Sequence, residues 1–223
     1  MKWWHTIELP NGEVTDGRVD YRGERGKRFF LPEDLSGKSV LDFGTWDGYW
    51  AIEAKRRGAR EVVATDRFLP APETTTIALS SFGIPYFYSG NLDFPLEPWT
   101  KCFGEIEEPF DFKNRFDVVL FYGILYHLKN PYMGLLNAYN CCKKGGMVIV
   151  ESAANQGKIR GLSDDVPLLW VVDVVHDKDR TNYYVPNALG VLQLCKLANL
   201  EPEEHTPMAD IARFTVVCRR KDE

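Results

Sequence analysis

The stretch Val40-Leu41-Asp42-Phe43-Gly44-Thr45-Trp46-Asp47-Gly48, followed by Asp66 at the end of the next apolar run, constrains this chain more than any other. A buried strand, a tight glycine turn, a helix and a second strand ending in a carboxylate make a βαβ unit. Its crevice lies at the carboxyl ends of parallel strands, facing the free N–H groups of the helix start. Gly44 permits the sharp turn after the first strand, where a side chain would clash. Gly48 permits close approach of the helix to the contents of the crevice. A dinucleotide fingerprint reads G-x-G-x-x-G. Here the turn reads G-T-W-D-G, with Trp46 where the second glycine would stand. Trp46 would crowd a pyrophosphate and Asp47 would repel it, which argues against a nicotinamide-dependent reductase. The ammonium of a bound amino acid would instead suit Asp47. Asp66 follows Gly44 by about twenty residues, the distance at which a carboxylate reaches two ribose hydroxyls. The alternative role for it is to cap a loop. Asn91 could meet an adenine edge, with Asp93 as a second candidate, or make a turn.

The alternation continues along the chain. Strands are expected at 39–43, 61–65, 84–88, 116–121 and 147–151. Helices are expected at about 46–57, 72–82 and 131–142, the last stopping at Gly145-Gly146, and from Pro186 to about 199. The stretch from Leu92 to Arg115, broken by Pro95, Pro98 and Pro109, reads as a long loop. Two late strands, 201–206 and 211–219, close the sheet with an antiparallel edge. This predicts a single three-layer α/β domain with a mostly parallel sheet, an N-terminal lid over about 1–30 and a cap over about 155–185.

Composition narrows the partners. The net charge of -5 gives no general attraction to nucleic acid. Arg18, Arg22, Arg25, Lys27 and Arg28 form either a solvated face or a local basic patch. The five cysteines are odd in number and include no C-x-x-C pair, as expected for reduced thiols in a cytoplasmic protein without a zinc site. Met1 to Pro10 lacks the apolar core of a signal peptide, and no apolar run is long enough for a membrane span. The four histidines show no metal-binding spacing, so no metal is expected.

L-D-F-G-T-W-D-G, then A-T-D at Ala64 to Asp66, then F-D-V-V-L-F-Y-G-I-L-Y-H-L at Phe116 to Leu128 resemble class I S-adenosylmethionine-dependent methyltransferases. The branch that includes the tRNA wobble-uridine carboxymethyltransferases is the more similar one. It shares the L-Y-H element and the late Asn182-Tyr183-Tyr184-Val185-Pro186-Asn187-Ala188-Leu189 segment. The resemblance implies a Rossmann-like fold and S-adenosylmethionine as cofactor. It places the methionine part at Gly44, Thr45, Trp46, Asp47 and Gly48, the ribose at Asp66 with Arg67 beside it, and adenine near Asn91 and Leu92. Phe121, Tyr122 and Gly123 would line the cofactor. The carboxymethyl branch grips the extra carboxylate of its donor with a tyrosine, an arginine and a lysine. Tyr126 matches the first and Arg213 the second, while the stretch near Trp4-His5-Thr6 carries no lysine. Ordinary methyl transfer is therefore expected.

On the acceptor side, an oxygen or amine usually loses a proton on methylation, so a base within reach helps. His127, beside Tyr126 just past the fourth strand, is the first candidate, unless it only braces the loop. His176, between Asp173 and Asp177, reads as an oriented base, a metal ligand or an exposed turn residue. His5, with Trp3 and Trp4, belongs to the lid, and His205 has no expected role. Tyr183 and Arg213 are substrate-binding candidates. Phe87, Tyr88, Trp99, Phe103, Trp170, Tyr183 and Tyr184 could wall an aromatic pocket. The expected reaction is methyl transfer to a small-molecule oxygen or nitrogen. Modification of a tRNA wobble uridine and non-catalytic binding of the cofactor are the alternatives.

Overall fold

Strand β3 (Ser39–Phe43) is buried at every residue, because both faces of a central parallel strand are covered. It pairs in parallel with β4 (Glu61–Asp66) on one side and β7 (Phe116–Tyr122) on the other. Beyond β4 lie β5 (Tyr86–Tyr88), parallel, and β6 (Thr100–Phe103), antiparallel. Beyond β7 lie β8 (Cys142–Ala153), parallel, then the antiparallel β12 (Arg213–Arg220) and finally β11 (Leu200–Met208). An antiparallel strand thus closes the C-terminal side of the sheet, as expected. The computed structural model describes residues 2–69, 71–105, 111–154, 165–172, 181–208 and 212–221.

Alternate strand residues point to opposite faces, so one strand feeds two cores. Leu41, Phe43 and Val63 pack with α4 (Pro131–Cys141) and α5 (Ala188–Leu197). Val40, Val62 and Ala64 pack with α2 (Tyr49–Arg56) and α3 (Glu73–Ser81), together with Ile7, Phe29 and Leu31 from the N-terminal region. Chain direction through the sheet reverses about β3, so the crevice opens where β3, β4 and β7 end. Two small pairs flank the sheet: β1 (Trp3–His5) with β2 (Gly17–Val19), and β9 (Leu169–Val171) with β10 (Tyr184–Pro186). A four-residue helix α1 (Glu24–Lys27) follows β2.

Four expectations need correction. Helix α2 starts at Tyr49, not Trp46, because Trp46 (φ 51°) and Gly48 (φ 89°) are both left-handed and cannot be helical. The Leu92 to Arg115 stretch contains strand β6. Gly145-Gly146 does not separate helix from strand but lies inside β8. A Cβ on Gly146 would meet Cys142 Sγ at 2.7 Å, so the glycine lets this strand bend. The late helix starts at Ala188 rather than Pro186, because the Asn187 side chain accepts the Gly190 N–H at 2.8 Å and caps it. All five cysteines are free thiols, with Cys102 half-buried and the other four buried. Among the described residues, no helix is long and apolar enough to cross a membrane.

Candidate active site

A cleft of about 740 Å³ opens at the carboxyl ends of β3, β4 and β7. Its first half grows from the glycine turn. Asp42, the penultimate residue of β3, accepts hydrogen bonds from the Thr45 hydroxyl (2.7 Å) and the Ala51 N–H (3.1 Å), closing the turn. Complete burial pushes its pKa up to about 7, and the neighbouring carboxylates of Asp66 and Asp47 add to the effect. Gly44 has φ 60°, and a Cβ there would come within 2.9 Å of Ile124 Cγ1, so only glycine brings the β3 and β7 ends this close. Asp66 accepts the N–H groups of Trp46 (3.0 Å) and Arg67 (2.7 Å). Burial raises its pKa, while those two backbone bonds oppose the rise. The Trp46 ring is 49% exposed and meets Phe68 edge-on at 5.7 Å, so it borders the hollow rather than filling it. Asn91 and Leu92 line the cleft beyond β5, with the Asn91 side chain accepting the Asp93 N–H at 3.0 Å. Two buried carboxylates at neighbouring strand ends suit a ligand with a cation at one point and a diol at the other.

The other half is assembled from distant parts of the chain. Tyr126 sits in a 3-10 turn (Leu125–His127), Glu151 near the end of β8 and Arg213 at the start of β12. The Arg213 guanidinium grips the buried Glu151 carboxylate with two hydrogen bonds, one from Nε and one from Nη2 at 2.7 Å. Its Nη1 donates to the Tyr126 hydroxyl at 3.1 Å. Gly123, beside both groups, has φ 71°, a left-handed conformation that favours glycine. Tyr122 donates to the Phe29 carbonyl at 2.8 Å. His127 Nδ1 lies 3.1 Å from both the carbonyl and the hydroxyl oxygen of Thr181. The Tyr183 N–H donates to the Tyr126 carbonyl at 2.8 Å, and Lys129 Nζ lies 5.4 Å from the Tyr183 ring centre.

Most of the expected site residues meet here. Gly44, Thr45, Trp46, Asp66, Arg67, Asn91, Leu92, Tyr122, Gly123, Tyr126, His127, Tyr183 and Arg213 all line the cleft. Asp47 and Gly48 do not. A Cβ on Gly48 would fall 2.6 Å from Leu79 Cδ2, so this glycine serves the packing of α2 on α3 rather than a ligand. Asp47 is 1% exposed and turned toward the N-terminal strand, where Oδ2 accepts the N–H groups of Trp4 (2.9 Å) and His5 (2.8 Å). Asp42 is the carboxylate that faces the cleft in its place. Of the seven aromatics expected to wall a pocket, only Tyr183 lines it. Phe87 is buried in the core, Trp99 stacks on Phe112 at 4.5 Å and Phe103 on Tyr86 at 5.4 Å. The aromatic wall comes instead from Trp4, Tyr21, Phe29, Trp50 and Phe68. Glu151 was also missed; its only sequence signal is a lone carboxylate ending an apolar run. His205 lies on β11, 5.4 Å from the Phe214 ring and outside the cleft. His176, Asp173 and Asp177 lie outside the described residues.

Comparison with known proteins agrees with this geometry. Residues 16–205 match the model of the methyltransferase domain family. The tRNA U34 carboxymethyltransferase of Pseudomonas aeruginosa is 29% identical over 150 residues, covering 64% of this chain and 40% of that protein. The chain thus matches less than half the length of this curated relative. Among solved structures, the 1,6-didemethyltoxoflavin-N1-methyltransferase of Burkholderia thailandensis, with bound 1,6-didemethyltoxoflavin and S-adenosylhomocysteine, superposes with a TM-score of 0.59 at 16% identity. That match covers 84% of this chain and 72% of that one. A methyltransferase-like protein of Bacillus halodurans gives 0.63 at 15% identity, covering 88% and 98%. The chain belongs to the methyltransferase domain family.

Proposed function

We propose that this enzyme transfers a plain methyl group from S-adenosylmethionine to an oxygen or nitrogen of a small molecule. The observation that carries the reading is the Glu151 carboxylate on Arg213. An arginine meant to hold a donor's extra carboxylate must have charge to spare, whereas here a buried carboxylate already balances it. A second reading, modification of a tRNA wobble uridine, draws on the name of the P. aeruginosa relative, which aligns over 40% of its length. A cleft of about 740 Å³, bordered by the N-terminal strand on one side and Thr181 to Tyr183 on the other, favours a small acceptor.

In this reading Asp42 and the turn at Gly44 and Thr45 hold the amino-acid end of the cofactor. Asp66 accepts from the ribose hydroxyls, and Asn91 with Leu92 borders the adenine. Tyr122, Gly123 and Tyr126 border the reacting end. The cofactor supplies an electrophilic methyl on a sulfonium. The protein aligns the acceptor with it, excludes water and receives the acceptor's proton. The reading is tested with methyl-labelled S-adenosylmethionine in a cell extract split into small-molecule and RNA fractions. Label is expected in the small molecules, and label found only in RNA overturns the proposal. Calorimetry should give binding of S-adenosylhomocysteine and none of NAD.

A further inference from the structure

The aromatic half of the cleft holds a histidine whose geometry exceeds the needs of a lid. His5 lies on β1, lines the cleft and is 7% exposed. Its Nδ1 is 2.5 Å from Asp47 Oδ1. The other Asp47 oxygen holds the main-chain N–H groups of Trp4 and His5. The imidazole stacks on Tyr49, with ring centres 5.1 Å apart. The ring is therefore fixed on one nitrogen and one face. Its Nε2 has no hydrogen-bond partner among the described residues. A carboxylate accepting the Nδ1–H leaves Nε2 as the proton acceptor, and its charge stabilises the imidazolium that forms when a proton arrives. His127 Nδ1 lies instead against the carbonyl and hydroxyl oxygens of Thr181.

Next to the His5 ring lies Tyr21, at 5.5 Å between centres, which stacks on Trp50 at 5.6 Å. Phe29 packs on Trp50 at 4.5 Å, and all of these side chains line the cleft. Such walls favour a flat acceptor. We infer that His5, held by Asp47, is the catalytic base of this enzyme and that it deprotonates the hydroxyl of a flat, phenol-like acceptor. The inference rests on the methyl-transfer reading and names its substrate class. The acceptor's O–H proton passes to His5 Nε2. The freed oxygen pair forms the new O–CH3 bond as the C–S bond breaks, and that bond's electrons stay on sulfur as a neutral thioether. His5 then returns the proton to water. Asp47 belongs to the same turn as Gly44, so the base is fixed relative to the cofactor site.

The test uses 4-nitrophenol, whose ionised form absorbs in the visible. It is added to the full chain with and without S-adenosylhomocysteine, at a pH below the phenol's own pKa. The wild type should bind the phenol and ionise it. His5→Gln and Asp47→Asn should each reduce the bound ionised fraction about tenfold or more, with S-adenosylhomocysteine affinity kept within about threefold. If Asp47→Asn fails to fold, His5→Ala with added imidazole replaces it, and imidazole should restore the visible band. Equal ionisation in the His5 variants, a phenol bound only in its neutral form, or no phenol binding would each overturn the inference. Failure of the wild type to bind S-adenosylhomocysteine would strike the methyl-transfer reading instead, since ionisation of the phenol is read without it.

Discussion

The two halves of the cleft are built in opposite ways. The cofactor half comes from one contiguous βαβ unit, which carries Asp42, Gly44 and Asp66 on successive elements. The acceptor half is gathered from β1, the segment after β7, β8 and β12, and its decisive contacts span 42 residues between His5 and Asp47, 62 between Glu151 and Arg213, and 87 between Tyr126 and Arg213. Local backbone geometry holds the first half, and charge pairs between remote elements hold the second. A change in the first should therefore act on ligand affinity, and a change in the second on the stability of the fold itself.

The largest effect should come from Arg213→Leu. It leaves the Glu151 carboxylate, 1% exposed, without its partner, and breaking a buried pair in this way costs about 3–5 kcal/mol. Urea unfolding should register the loss. A loss below about 1 kcal/mol, the worth of a surface pair, would break the contrast between the halves. Asp66→Ala should weaken S-adenosylhomocysteine binding by roughly 1–3 kcal/mol in calorimetry while moving the urea midpoint less than Arg213→Leu does. The smallest effect sharpens the contrast through pH. With Asp42 pushed up to about 7, a ligand ammonium favours its ionised form. Affinity for S-adenosylhomocysteine should then rise as pH climbs toward 7, by at most about tenfold per unit, and level off above it. Asp42→Asn should flatten that slope. In the free protein the sign is opposite. Between 3.8 and about 7 the folded state keeps a proton that the unfolded chain has lost, so stability falls as pH rises through this window.

The same contrast explains what could be read from the residues alone. Strand β3 has its expected bounds, because the apolar residues Val40, Leu41 and Phe43 mark a strand covered on both faces. The Gly44 turn and Asp66 are legible because their meaning depends on spacing along one unit. Strand β6, four half-buried or exposed residues on an antiparallel edge, carries no such run. The partners of Asp47 are not legible, because a carboxylate in a glycine turn gives no sign of which side it faces. Only the folded path of residues 3–5 decides that. Glu151 and Tyr21 acquire their surroundings from other elements in the same way, so no local pattern marks them.

The left-handed turn at Gly44 to Gly48 has a further consequence through Asp47. One carboxylate fastens the main chain of Trp4 and His5 to a turn 43 and 42 residues later, respectively. These anchors hold residues 3–5 only while the turn between β3 and α2 is formed. They should also detach first when the protein breathes, and protons on the Trp4 and His5 amides should exchange sooner than those in β3. Each such opening would unroof the aromatic chamber while the sheet beneath it stays intact, giving a bulky acceptor an entrance that needs no movement of the cofactor pocket.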